Sequence, residues 1–202
     1  KTSFKEDSYD LYLYNYYPIR KWDWEQNVVF ITTTIIYEEE NMTITFAGDK
    51  VTLLGTQVKK GDKAPAFKAT KNDLSEFSSE DLKGKVVVYS VAPSLDTDVC
   101  ALQAKKFNKD ALELSDDVAI VTITEDLPFA QARFCSNEDI KNLEMVSDYK
   151  EREFGEKYGF LIDELKLLAR GIVVVDKEGV IQYVEYVPEV TNEVNFEAAL
   201  EE

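Results

Sequence analysis

A solid apolar run, Val86-Val87-Val88-Tyr89-Ser90-Val91, leads through Pro93-Ser94-Leu95-Asp96-Thr97-Asp98 into the periodic segment Ala101-Leu102-Gln103-Ala104-Lys105-Lys106-Phe107. The run reads as a buried strand and the segment after it as a helix. Pro93 ends the strand and fixes the loop. Cys100 then falls in the first turn of a helix that leaves the carboxyl end of a strand. Backbone N–H groups at a helix start point at such a sulfur and favour its anion. Thr97, three residues upstream, is close enough in a helical first turn to share a hydrogen bond with that sulfur.

The chain has 202 residues, one domain's worth with room for an appendage, and its 45% hydrophobic content can fill a core. A net charge of −16 repels nucleic acid and anionic membrane faces. There is no histidine, and two cysteines thirty-five positions apart cannot build a Cys/His zinc site. The phosphate-loop and dinucleotide glycine patterns are missing, as is the paired-cysteine motif of dithiol exchange. No cofactor or metal is expected. No stretch reaches the ~20 apolar residues of a membrane span. Two cysteines without a secretory signal suggest a reducing compartment, the cytoplasm.

Residues 1–41 differ from the rest: they hold both tryptophans and many other aromatics but neither glycine nor alanine. Tyr, Asn, Lys, Ile and Phe use AT-rich codons, and Glu38-Glu39-Glu40 implies a purine run just before the Met42 codon. We expect residues 1–41 to be translated upstream sequence and 42–202 to be the functional domain. The rival expectation is a genuine extension that adds strands to a sheet edge.

From Met42 the text becomes regular. Thr43–Phe46 and Val51–Gly55 around Ala47-Gly48-Asp49-Lys50 read as a hairpin. A short helix starts after Ser78 and stops at Gly84. Beyond the Cys100 helix come a strand at Val118–Thr124 and a helix from Pro128 towards Cys135. Asp148–Tyr158 reads as helical, with Ser147 as N-cap and Gly159 past its end. Gly171–Asp176 and Val180–Tyr186 form a hairpin around Lys177-Glu178-Gly179, and a last helix covers Val194–Leu200. The expectation is an α/β fold: a central mixed sheet flanked by helices.

The P-x-x-x-T-x-x-C pattern of Pro93, Thr97 and Cys100 resembles the active-site motif of peroxiredoxins. Asp126-Leu127-Pro128-Phe129-Ala130-Gln131-Ala132-Arg133-Phe134-Cys135 resembles the resolving-cysteine segment of their thiol peroxidase branch, the atypical two-cysteine enzymes. Leu168-Ala169-Arg170-Gly171-Ile172-Val173-Val174-Val175-Asp176 resembles the segment that carries the active-site arginine. The likeness runs from about Met42 to the C-terminus, and the opening hairpin fits it. It implies a thioredoxin-like fold and reduction of hydrogen peroxide and organic hydroperoxides.

In that reading Cys100 is the nucleophile, and Thr97 holds the sulfur and a peroxide oxygen. Pro93 shields the thiolate, and Arg170 stabilises it together with the charge on the leaving oxygen. Arg133 is a second candidate for the arginine role. Cys135 resolves the sulfenic acid into an intrachain disulfide. Thioredoxin as reductant and a homodimer are implied by the resemblance alone. Two departures bear on the site: Asp98 brings a negative charge near the thiolate, and Ala92 widens the pocket before Pro93. The alternative function is a redox sensor or relay that passes oxidising equivalents to partner proteins.

Overall fold

The computed structural model describes residues 43–112 and 114–200. The expectation for residues 1–41 lies outside the described residues. In chain order the elements are β1 (Ile44–Phe46), β2 (Asp49–Val51), β3 (Leu53–Leu54), β4 (Lys68–Lys71), β5 (Glu76–Ser78) and a 3-10 turn at Ser79–Leu82. Then come β6 (Val86–Val91), α1 (Asp98–Asp110), β7 (Val118–Thr124), α2 (Pro128–Asn137), β8 (Glu144–Ser147) and α3 (Glu153–Lys157). The chain continues through β9 (Leu161–Ile162), β10 (Gly171–Val175), β11 (Ile181–Tyr186) and α4 (Phe196–Leu200).

Seven strands form one mixed sheet in the order β11-β10-β6-β7-β8-β4-β5. β6, β7 and β8 run parallel, and the other neighbours are antiparallel. Helices follow the parallel strands, as a parallel crossover requires. β1 and β2 form the expected hairpin, but Leu53 and Leu54 leave it and pair with Leu161 and Ile162 of β9.

The strand period of two explains how the core divides. Val87, Tyr89 and Val91 of β6 face one side, together with Val121, Ile123, Val173 and Val175. That side is filled by rings: Phe67, Tyr89, Phe154 and Tyr158 pack with centroids 5.0–6.0 Å apart, and Phe154 stacks on Tyr158 at 4.5 Å. Val88, Ile120, Ile172 and Val174 face the other side, where Phe107 of α1 packs on them. Arg170 is in phase with Ile172 and Val174, so the alternation turns it to the α1 side. Gly171 beside it is required by close approach: a Cβ there would stand 2.0 Å from the Glu185 carbonyl oxygen.

The sequence pattern predicts helix over Asp148–Tyr158 with Ser147 as its cap, and here too the structure differs. Ser147 instead ends β8, and helix covers only Glu153–Lys157, entered through Arg152 in a left-handed conformation (φ 54°). The cap comes from Asp148, whose carboxylate accepts the N–H groups of Phe154 (3.1 Å) and Gly155 (2.8 Å). Gly159, at φ 68°, stops the helix as expected. Among the described residues no helix is long and apolar enough to cross a membrane.

Candidate active site

Cys100 is the third residue of α1 and is fully buried. Thr97 is the N-cap by backbone conformation, yet its side chain makes no cap hydrogen bond. Its hydroxyl lies 2.7 Å from Cys100 Sγ and 3.2 Å from the Ser94 carbonyl oxygen. A hydroxyl has one proton, so it donates to one of these and turns to the sulfur when the sulfur is the stronger acceptor.

Arg170 approaches from the sheet. It is 1% exposed, and its Nη2 donates to Cys100 Sγ at 3.1 Å. Nη1 donates to Gln103 Oε1 and Nε to the Val190 carbonyl oxygen, both at 2.7 Å. None of these partners is a carboxylate. A buried cation is costly unless paired, and the one partner here able to become an anion is the sulfur. Gln103 is itself fixed, with Nε2 donating to Ser90 Oγ at 2.8 Å and to the Val91 carbonyl oxygen at 3.3 Å.

The loop between β6 and α1 is fastened at one point. The Asp126 carboxylate accepts Ser94 Oγ and the Leu95 N–H, each at 2.7 Å, and Thr124 Oγ1 at 3.0 Å. Pro93 and Ala92 are buried at the start of this loop. Asp98 is exposed, so its charge meets solvent. Arg133 lies exposed on α2, while the guanidinium on the sulfur is that of Arg170.

Cys135 is placed elsewhere. It sits half-buried on α2, with Asn72 Nδ2 donating to its sulfur at 3.6 Å and its thiol directed to Met145 Sδ at 3.6 Å. Burial pushes its pKa up, and the Asn72 hydrogen bond pulls the other way. Both cysteines are free thiols. Arg170 leads into β10 and Met145 lies on β8, three places apart in the sheet. Each sulfur therefore has its own helix and its own partners, Thr97 and Arg170 for Cys100, Asn72 and Met145 for Cys135. Among the described residues no group of three His, Cys, Asp or Glu is placed to hold a metal ion.

The redoxin family model matches residues 59–200. A thiol peroxidase of Oceanobacillus iheyensis is 50% identical over 157 residues, covering 78% of this chain and 95% of its relative. A thiol peroxidase of Bacillus subtilis is 49% identical over 158 residues, 78% and 94% of the two chains. The chain belongs to the redoxin family, in its thiol peroxidase branch. Among solved structures, the peroxiredoxin-like protein of Aquifex aeolicus matches with a TM-score of 0.75 at 38% identity, over 80% of this chain and 95% of that one. The thiol peroxidase of Chromobacterium violaceum, at 20% identity and a TM-score of 0.72, shares the fold. The sheet flanked by helices is thus the thioredoxin-like frame of redoxins.

Within this redoxin frame, three residues have contacts at the site that the motifs do not state: Gln103 on Arg170, Asn72 on the Cys135 sulfur, and Asp126 on the loop before Cys100. Gln103 lies three residues past Cys100, on the same helix face, and that spacing was an available signal. Asp126 and Asn72 reach their partners across more than thirty residues of chain, and no local pattern marks such contacts.

Proposed function

We propose that the chain is a thiol-dependent peroxidase that reduces hydrogen peroxide and organic hydroperoxides. The observation that carries this reading is the convergence of Thr97 and Arg170 on Cys100 Sγ, with no carboxylate on the guanidinium. The Cys100 thiolate attacks one peroxide oxygen. An S–O bond forms, the O–O bond breaks, and the departing oxyanion takes up a proton as water or an alcohol. Arg170 faces the charge on the sulfur and on the leaving oxygen, and Thr97 orients the peroxide. Pro93, buried in the loop, limits access of bulk water to the sulfur.

In this reading Cys135 then attacks the Cys100 sulfenic acid. The S–S bond forms, the S–O bond breaks, and hydroxide leaves with a proton as water. That step brings the two Cα atoms within ~7 Å, and a wider separation in the reduced protein is closed by local opening of α1 and α2. The reductant we infer is thioredoxin, acting in the cytoplasm on a homodimeric enzyme, as the family resemblance implies. A relay that passes oxidising equivalents to other proteins is less favoured, because an intrachain resolver competes with the partner and the relatives carry the name thiol peroxidase. The test is peroxide-dependent NADPH oxidation with thioredoxin and its reductase. Turnover that vanishes in Cys100→Ser supports the reading; turnover retained in that variant removes it.

A further inference from the structure

Asn72 occupies the turn between β4 and β5, where an asparagine ordinarily bonds its own backbone. Here Asp73 takes that role, accepting the Ser75 N–H at 3.0 Å and the Ser75 hydroxyl at 2.6 Å. Asn72 is left to turn inward. Its Nδ2 donates to Cys135 Sγ at 3.6 Å, and its Oδ1 is buried without a partner. Besides Asn72, the sulfur meets apolar packing and the Met145 thioether: Leu95, Ala104, Ile140 and Met145 form the cluster on which Phe134 and Cys135 rest. Neighbouring charges are tied to one another, Lys71 to Glu144 at 3.4 Å and Lys105 to Glu138 across α1 and α2 at 2.5 Å, and Arg133 is exposed.

We propose that Asn72 is the positioning residue of the second chemical step: its amide seats the Cys135 sulfur and so sets how fast oxidised Cys100 is resolved. The inference rests on reading Cys135 as the resolving thiol. A hydrogen bond donated to sulfur strengthens when the sulfur is charged, so the amide favours the nucleophilic form. Burial favours the neutral thiol and works against that form. With Oδ1 unpartnered, the contact with the sulfur is the one hydrogen bond that orients the Asn72 amide. Cys135 gives up its proton, the S–S bond to Cys100 forms, and the sulfenic oxygen departs with that proton as water.

The test compares the parent with Asn72→Ala and with Asn72→Asp, which keeps the shape but replaces the donor by an acceptor. Each reduced protein is mixed with one equivalent of hydrogen peroxide, quenched with acid at intervals and analysed by intact mass and peptide mapping. Loss of the Cys100 thiol should proceed at the parental rate. Formation of the Cys100–Cys135 disulfide should slow about tenfold in Asn72→Ala, the effect of losing one hydrogen bond to a charged group, and further in Asn72→Asp. The pH profile of disulfide formation should move to higher pH, and sulfinic acid at Cys100 should accumulate at higher peroxide. Disulfide formation at the parental rate in both variants overturns the proposal, as does equal slowing of both steps. If the parent itself forms no intrachain disulfide, the assignment of Cys135 as resolver falls, and this inference falls with it.

Discussion

Gln103 Oε1 accepts a hydrogen bond from Arg170 Nη1 at 2.7 Å, so the helix that carries the thiol also aims the cation at it. The carboxamide is pinned by Ser90 and Val91 of β6. One side chain thus sets the guanidinium against both the strand and the helix.

Gln103→Leu should misplace that cation. It leaves a buried guanidinium N–H and the Ser90 hydroxyl without partners, at about 1–3 kcal/mol each. We expect a lower thermal midpoint and a fall of about tenfold in kcat/KM for peroxide, measured in the coupled thioredoxin assay. Unchanged kcat/KM in a folded variant shows that Arg170 needs no aiming.

Arg170→Met keeps length and loses charge. The alkylation rate of Cys100 at neutral pH should drop. Peroxide reduction should slow by at least ~10-fold, or ~1.4 kcal/mol of barrier. Were alkylation and turnover both to hold at parental values, the guanidinium would have no part in the reaction.

Cys135→Ser should separate the two half-reactions. In the proposed cycle Cys100 is still oxidised once, because the first attack there calls only on Thr97, Arg170 and the thiolate. Steady turnover with thioredoxin should fall, and intact mass should show added oxygen in place of the two-hydrogen loss of a disulfide. Disulfide-linked dimers from the parent after one equivalent of peroxide would assign resolution to another subunit.

Stability should fall as pH rises towards about 8. Glu125 stands behind Arg152, with the nearest nitrogen 3.9 Å from Oε2, too long for a hydrogen bond, and Oε1 has no partner. Burial, reinforced by the Asp148 carboxylate, pushes its pKa up from 4.5 to about 8, and Arg152 offsets only part of this. In the unfolded chain the group ionises near its ordinary value. Between the two values the folded protein holds a proton that the unfolded chain has released, so stability declines with rising pH. Asp148, pushed up to about 6 by burial, adds to the decline over the lower part of that window. Thermal midpoints should fall from pH about 5 to pH about 8. Glu125→Gln should flatten the slope and raise the midpoint at the alkaline end. A parental slope in that variant shows that Glu125 is not the titrating group.

Continuous apolar runs made the centre of the sheet legible. Val86–Val91 and Val118–Thr124 have the expected bounds because both faces of β6 and β7 are largely covered. Pro128 marked the start of α2 because a proline suits the first helical turn. The edge strands were harder to read. Lys68-Ala69-Thr70-Lys71 has no apolar period, and its strand character comes from pairing with β5 and β8. Ser147-Asp148 imitated a helix start, but Asp148 caps from six residues away. At the site, Cys100, Thr97 and Arg170 were legible from the motifs that carry them. Asn72 and Asp126 were not, since each acts on a partner that only the tertiary fold brings near.

Arg170 is anchored in the interior of the sheet, leading into a strand with β6 on one side and β11 on the other. Both sulfurs ride on helices. In the proposed cycle Cys100 leaves the guanidinium to join Cys135, and a disulfide carries no charge. The cation then stays behind, facing only Gln103 and the Val190 carbonyl. That stranded charge is a restoring force: it favours whatever returns an anionic sulfur to its side, and reduction does so. In that cycle the residue proposed to hasten loss of electrons from the thiol also tilts the oxidised protein towards getting them back.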